Sequence, residues 1–299
     1  MPVYNGERFV RRALDALLSQ DYEDFELIIA DNASTDATRE ICEKYARIDK
    51  RIQYQRSDIN HGAEDNFNRV FRMARGTYFM WAAADDLWEP DYVSTLLQDL
   101  KSDSEAVLAF SSFDNIDEKD ETIKTYPHLF DLPSTHAFAR LRNYMLQEES
   151  LGKANLIYGL MRRDALEIAA GFKNWSKGSW GVDMLVVFRL LCLGNIVVNE
   201  RLLFHKRLVL NASEIVPVAP RKGLSVLTTR LARLCCSILQ RHKYFNGYLR
   251  ILNTAENLTQ AEKRRLRGLL RKKRAGFYQS GIWIMLVEPA LRKVAGRKP

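Results

Sequence analysis

The chain has 299 residues, 46% of them hydrophobic and 27% charged, which places it among ordinary globular proteins of one large domain or one domain with an appendage. No run of ~18 apolar residues is present, so neither a bilayer-spanning helix nor a secretory leader is expected. The four cysteines, Cys42, Cys192, Cys235 and Cys236, show no CxxC or metal-site spacing, which excludes a disulfide framework and fits a reducing compartment.

The net charge of +8 is unevenly spread: residues 221–299 hold 19 Lys/Arg against 3 Asp/Glu, and the rest of the chain is acidic. An acidic body with a basic tail points to a polyanionic partner for the tail.

Met1 to Gly6 reads as the end of a strand running into a loop, with the apolar strand that should precede it missing. Apolar residues from Glu7 to Gln20 recur at helical spacing. Phe25–Asp31 (FELIIAD) is a continuous apolar strand ending in a carboxylate. Capping residues follow in DNASTDAT, with a helix expected over 35–46. Arg51–Arg56 is a third strand, and a helix over 64–75 turns Phe67, Val70, Phe71 and Ala74 inward. A strand over 78–85, a helix over 92–101 and a strand over 106–113 come next. After them stand a short strand over 122–126, a loop over 127–135 and a helix over 136–149. A strand over 155–162, a short helix over 164–170, a loop over 171–181, a helix over 183–193 and two strands, 196–198 and 202–206, complete the body. Strands alternating with helices of 10–15 residues predict an α/β body with a mostly parallel sheet flanked by helices.

The stretch Tyr78–Asp91 (YFMWAAADDLWEPD) is the pivot of this body. An apolar strand delivers two adjacent carboxylates, Asp85 and Asp86, before Pro90. Buried carboxylates are costly unless paired, and ligands of open α/β sheets sit at the carboxyl ends of the strands. The pair therefore fits a cation or a set of hydrogen-bond donors. Asp86 as the cap of a helix near Asp91 fits equally well.

From Arg221 onward the pattern is helical. Leu224, Leu227, Leu231, Leu234 and Ile238 form one stripe, and KRRLRGLLRKKR (263–274) is a basic helix. The apolar, Trp-bearing segment 277–291 is too short to span a membrane. Basic helix and apolar segment together fit an anionic membrane surface. A helical bundle with a solvated basic face is the alternative. Nucleic acid is the remaining one, although the body holds no nucleic-acid motif.

PVYNGERF (2–9), FELIIADNASTDAT (25–38), Asn60-x-Gly62 with Asn68, ARGTYFMWAAADDLWEPD (74–91) and GVD (181–183) stand in an order that resembles the family 2 glycosyltransferases of the GT-A fold, over about residues 1–210. The resemblance implies a GT-A domain over 1–215 and an all-helical basic extension over 216–299. It implies an inverting, metal-dependent sugar transfer from a nucleoside-diphosphate sugar, with uridine or deoxythymidine the commonest bases. It also implies Mg2+ or Mn2+ on Asp85, the third position of the family's Asp-x-Asp-Asp motif, whose first position is here Ala83. Asp183 takes the place of the general base, with Val182 where the family has an acidic neighbour. Pro2, Val3 and Tyr4 form the wall of the base pocket, with Asp31 at the base and Glu7 near the nucleoside. Arg56, Asn60 and Asp86 stand toward the nucleotide sugar, and Arg207, in the run His205-Lys206-Arg207, stands near the diphosphate. Tyr158, Trp175 and Trp180 are aromatics suited to a sugar face or to packing.

The expected acceptor is a glycan or lipid-linked surface-polysaccharide intermediate at the cytoplasmic face of the membrane. A non-catalytic nucleotide-binding scaffold is the alternative from another class. A nucleotidyltransferase is a third, disfavoured by the absence of an early Gly-rich, Lys-bearing phosphate loop.

Overall fold

The computed structural model describes residues 1–126, 136–169, 181–209 and 241–282, without the side chains of 277–282. The chain divides into two compact units, Met1–Trp175 with Asp183–Val209, and Ser176–Val182 with Leu210–Pro299.

The first unit holds two sheets. Strands β1 (Pro2–Val3), β2 (Leu27–Asp31) and β3 (Ile52–Arg56) form a parallel sheet in the order β1-β2-β3. Helices α1 (Val10–Leu18) and α2 (Thr38–Ile48) make the two crossovers. On α1 the buried residues Val10, Ala13, Leu14 and Leu17 recur at the i, i+3, i+4, i+7 spacing of one helical face. Both helices start about three residues later than the sequence predicts. The amides of the intervening residues are held elsewhere: Glu7 N–H donates to Asp36 (3.1 Å) and Thr35 N–H to Asn5 Oδ1 (2.8 Å).

Helix α3 (Ala63–Met73) leads to β4 (Tyr78–Phe79), and β5 (Leu87–Trp88) precedes α4 (Tyr92–Ser102). Strand β6 (Ala106–Ile116) is buried along its whole length and centres the second sheet, ordered β4-β8-β6-β9-β5 with β7 (Thr122–Tyr126) also on β6. Helix α5 (Ala137–Leu146), β8 (Leu160–Arg162), α6 (Arg163–Ala169), α7 (Val182–Leu191) and β9 (Asn195–Arg207) complete the unit. In this sheet β9 runs parallel to β6, whereas β4, β5, β7 and β8 join antiparallel.

Three expectations change. The strand predicted over 78–85 pairs only at Tyr78 and Phe79, because its partner β8 is three residues long. Beyond it Trp81 is fully buried, edge-on to Phe79 at 4.8 Å, and donates from its indole to Phe67 O (3.0 Å). The strand predicted over 155–162 is a 3-10 turn, Lys153–Tyr158, followed by β8. A short apolar run buries its residues in either form, and periodicity alone does not separate them. The two strands predicted over 196–206 are one, because β6 offers an unbroken partner and register shifts around Ser112 absorb the irregularity.

Met1 is buried beside β2, and its backbone nitrogen donates to Ile28 O (2.6 Å). A cavity of about 610 Å3 lies at this amino end of β2, lined by Met1, Ile28, Val70, Phe79, Leu97 and Leu160. Asp31 stands at the opposite end of the strand.

In the second unit the described residues are helical over 241–254 and over Gln260–Ile282. The loop predicted over 127–135, the loop predicted over 171–181 apart from Gly181, the Leu224–Ile238 stripe, Trp175, Trp180 and the apolar segment from Trp283 lie outside the described residues.

Candidate active site

The carboxyl edge of the parallel sheet gathers most of the residues expected at a nucleotide. Pro2 and Val3 are buried in β1, and Tyr4 follows half exposed. The loops after β1 and β2 are joined by hydrogen bonds. Asn5 N–H donates to Ser34 Oγ (2.9 Å), Gly6 N–H to Thr38 Oγ1 (2.7 Å), and Ala37 N–H to Glu7 Oε2 (2.8 Å). Gly6 is needed for this approach, since a Cβ there would stand 2.8 Å from Val3 Cγ2; it would also stand 3.6 Å from Ala84 Cβ, so the β1 loop lies beside the Asp85 turn.

Asp31 is fully buried and accepts from Ser34 N–H (2.8 Å) and the Tyr54 hydroxyl (2.7 Å), with Arg56 Nε at 3.9 Å. Arg56 donates to Ser34 O (3.2 Å). Asn60 accepts from Gly62 N–H and from the Asn32 amide, both at 2.8 Å.

Asn32 is a residue that sequence reasoning missed. It is 3% exposed, donates to Asn60 and Gly62 O, and accepts from His61 N–H (2.9 Å), so it holds the β3–α3 loop against the strand edge. Its only sequence signal is its place directly after the strand-end Asp31.

Between β4 and β5 the two adjacent carboxylates have separate fates. Asp86 is fully buried and accepts from Lys206 Nζ (3.0 and 3.1 Å) and from Arg207 N–H (2.9 Å). It caps no helix; α4 starts at Tyr92, and its N-cap residue Asp91 makes no side-chain cap. Burial pushes the Asp86 carboxyl up to about 6, with Lys206 pulling against the rise and Asp85 adding to it. Burial also works against the Lys206 ammonium, but Asp86 outweighs it and holds that group above the ordinary lysine range. At neutral pH the pair is therefore ionised.

Asp85 is half-buried, and among the described residues its carboxylate has no protein partner. Its backbone is held instead, by Arg207 Nε on Asp85 O (2.7 Å). The rest of the Arg207 guanidinium goes to Asp117 O and Asp120, and the side chain is 0% exposed. His205 sits between Asp114 (2.7 Å) and Glu89 (3.0 Å). All three basic residues of the 205–207 run thus bind the protein itself. Asp86 and Arg207, expected at the nucleotide sugar, are buried supports of the turn that presents Asp85.

Asp183 lies in the first turn of α7 and accepts from Met184 N–H (2.8 Å). Burial pushes its carboxyl above the usual aspartate value, with the Met184 amide and the Lys153 ammonium pulling it down. The Tyr144 hydroxyl fixes this turn by donating to Met184 O (3.3 Å).

Tyr158 packs beside Lys206. Its ring lies 4.9 Å from Lys206 Nζ and 5.7 Å from Phe204. Burial pushes its hydroxyl up to about 12, and Lys206, Asp86, Asp85 and Asp183 all act on it electrostatically.

No group of three or more His, Cys, Asp or Glu residues that could hold a metal occurs among the described residues. An unpartnered carboxylate still fits Mg2+ or Mn2+ of the kind bound by one or two carboxylates plus phosphate oxygens.

A parallel sheet with a polar loop cluster at its carboxyl edge, adjoining a carboxylate turn and a second sheet, is the GT-A arrangement. The chain belongs to the family described as Glycosyl transferase family 2, which it matches over residues 1–167. It is 36% identical over 96 residues to the Glycosyltransferase GlyA of Streptococcus pneumoniae, covering 32% of this chain and 14% of that one. It is 33% identical over 97 residues to the Putative teichuronic acid biosynthesis glycosyltransferase TuaG of Bacillus subtilis, covering 32% of this chain and 38% of that one. The matches thus span well under half the length of these relatives. Among solved structures, S. aureus TarS 1–349 in complex with UDP-GlcNAc superposes with a TM-score of 0.67 at 14% identity, over 96% of this chain and 74% of that one. The mannosyltransferase PcManGT from Pyrobaculum calidifontis, in complex with GDP-Man and Mn2+, gives 0.51 at 15% identity, over 99% and 81%. At such identities the likeness is one of fold.

Proposed function

We propose that the protein is an inverting, divalent-metal-dependent glycosyltransferase. It takes a UDP- or dTDP-sugar as donor and a glycan or lipid-linked intermediate of a surface polysaccharide as acceptor. Residues 1–215 form its catalytic domain, and 216–299 a helical extension that docks it at the cytoplasmic face of the membrane. The observation that carries this reading is the Asp85 turn, held by Arg207 beside the polar loops at the carboxyl edge of the parallel sheet, with the Asp85 carboxylate unpartnered among the described residues.

The residues take the following roles. Tyr4, Glu7, Arg56 and Asn60, with Pro2, Val3 and Asp31 beneath them, bind and orient the nucleoside at the sheet edge. Asp183 accepts the proton of the acceptor hydroxyl as that oxygen bonds to the anomeric carbon. The bond from that carbon to the diphosphate breaks on the opposite face and inverts the centre. A base whose pKa lies nearer the working pH is better matched to this task. Asp85 would hold Mg2+ or Mn2+, which when bound stabilises the charge developing on the diphosphate. Lys206, Asp86 and Arg207 keep the Asp85 turn in place.

Calorimetric titration of UDP with Mn2+, and again with EDTA, tests the binding half. Metal-dependent binding is expected, and no binding in either condition would overturn the reading. Donor screening with stereochemical analysis of the product tests the rest. Binding without turnover of any donor would favour a nucleotide-binding scaffold, and pyrophosphate release would contradict sugar transfer.

A further inference from the structure

The helix Gln260–Ile282 carries eight Lys and Arg residues and one carboxylate, Glu262, which closes a capping box with Thr259 (Thr259 N–H to Glu262 Oε2, 2.8 Å). Its cations fall on two faces with different duties. On the inner face Lys263 is 7% exposed beside the buried Leu266 and Leu270. Lys263 donates to Asn253 O (3.4 Å), Arg267 to Asn253 Oδ1 (2.6 Å), and Arg274 bonds His242 Nδ1 (2.7 Å). These contacts join the helix to the one over 241–254.

The outer face is built from Arg264, Arg265, Arg271 and Lys272, all exposed, at i, i+1, i+7 and i+8. That spacing puts them on one side of the helix over about 12 Å of its length. Gly268 lies between the two pairs, with nothing within 4 Å of where a Cβ would be, so no side chain interrupts the face. No large apolar side chain is exposed on this helix among the described residues.

We propose that this face is an electrostatic docking surface for an anionic lipid membrane. It binds at headgroup level through charge, and no apolar side chain of its described part inserts. The inference rests on the membrane-associated reading above and assigns it to particular residues. A membrane fits better than a polyanionic glycan. Among the described residues the face is the convex side of one helix with no aromatic side chain to stack on a sugar, and the sequence beyond it continues into the apolar, Trp-bearing stretch 277–291. Juxtamembrane basic residues of this kind are drawn to anionic leaflets within about a Debye length, ~8–10 Å at physiological salt.

The test is cosedimentation of the full chain with vesicles of phosphatidylcholine alone and of phosphatidylcholine containing phosphatidylglycerol. The wild type is compared with the triple variant Arg264→Gln, Arg271→Gln, Lys272→Gln, whose exposed positions leave the fold intact by circular dichroism. The expected result is salt-sensitive binding to the anionic vesicles only, weakened about 100-fold in the variant. Equal binding by variant and wild type would overturn the assignment to this face while leaving membrane association standing. No binding by the wild type would overturn both. Binding to a soluble anionic polysaccharide but not to vesicles would give the face to a glycan instead.

Discussion

Lys206 Nζ contacts both carboxylate oxygens of Asp86, at 3.0 and 3.1 Å, with the aspartate fully buried and the lysine side chain 20% exposed. The pair joins the carboxylate turn to the end of β9, and the adjacent Asp85 carboxylate has no protein partner among the described residues. Its removal should therefore act first on stability. Lys206→Met leaves a buried, unpaired carboxylate and should cost about 3–5 kcal/mol. Burial already raises the Asp86 carboxyl above its unfolded value. A folded pKa above the unfolded one favours the folded state below the unfolded pKa, and that advantage is lost as pH rises toward the folded pKa. In the variant that loss extends to higher pH, so its deficit against wild type should shrink between pH 7.5 and pH 5. Urea denaturation at both values reads this directly, and a deficit that grew on acidification would refute it.

Asp85→Asn should behave in the opposite way. With no protein partner to lose, the substitution should leave stability within about 0.5 kcal/mol of wild type. It should lower UDP affinity in Mn2+ to the level seen in EDTA. Titration calorimetry with a parallel melting curve separates the two effects.

Asp183→Asn should lower turnover of the donor that the wild type uses by about 100- to 10,000-fold, with UDP binding unchanged. Because the base works deprotonated and burial raises its pKa, activity should fall on acidification along a limb above the ordinary aspartate range. The Lys153 ammonium pulls that pKa down, so Lys153→Met should move the limb to higher pH. A pH–rate profile of the two proteins checks the sign, and a limb moved downward would remove Lys153 from this role.

Gly159→Ala tests how Tyr158 is held. A Cβ at this position would stand 2.7 Å from Leu108 Cδ1 and closer still to the Ala109 carbonyl of β6. Backbone has to shift, at a cost of about 1–3 kcal/mol, and Tyr158 should move with it. Loss of stability together with a fall in turnover is expected. Full activity would show that the ring position does not matter.

Much of the body was legible in the sequence because its signals are local. The apolar faces of α1 and α3, the strand-end Asp31 and the alternation of strand and helix all follow from periods a few residues long. The misread elements are those in which a distant partner decides. β4 ends early because β8 is short, and 153–158 coils because a 3-10 turn buries Leu156 and Ile157 as well as a strand would. Asn32 was hidden for the same reason, since its three partners lie in the loop after β3.

The sequence by itself determined the α/β class, the ordered motifs of the family, the pair Asp85-Asp86 and the basic helix near the end of the chain. Which carboxylate stays available was decided only by tertiary structure. Asp86 is paired with a lysine 120 residues away, and Arg207 turns inward to hold Asp85 O. The physical reason is that a chain encodes its local periodicity in neighbouring residues. The partner that pays the desolvation cost of a buried charge is supplied by whatever the fold brings alongside it.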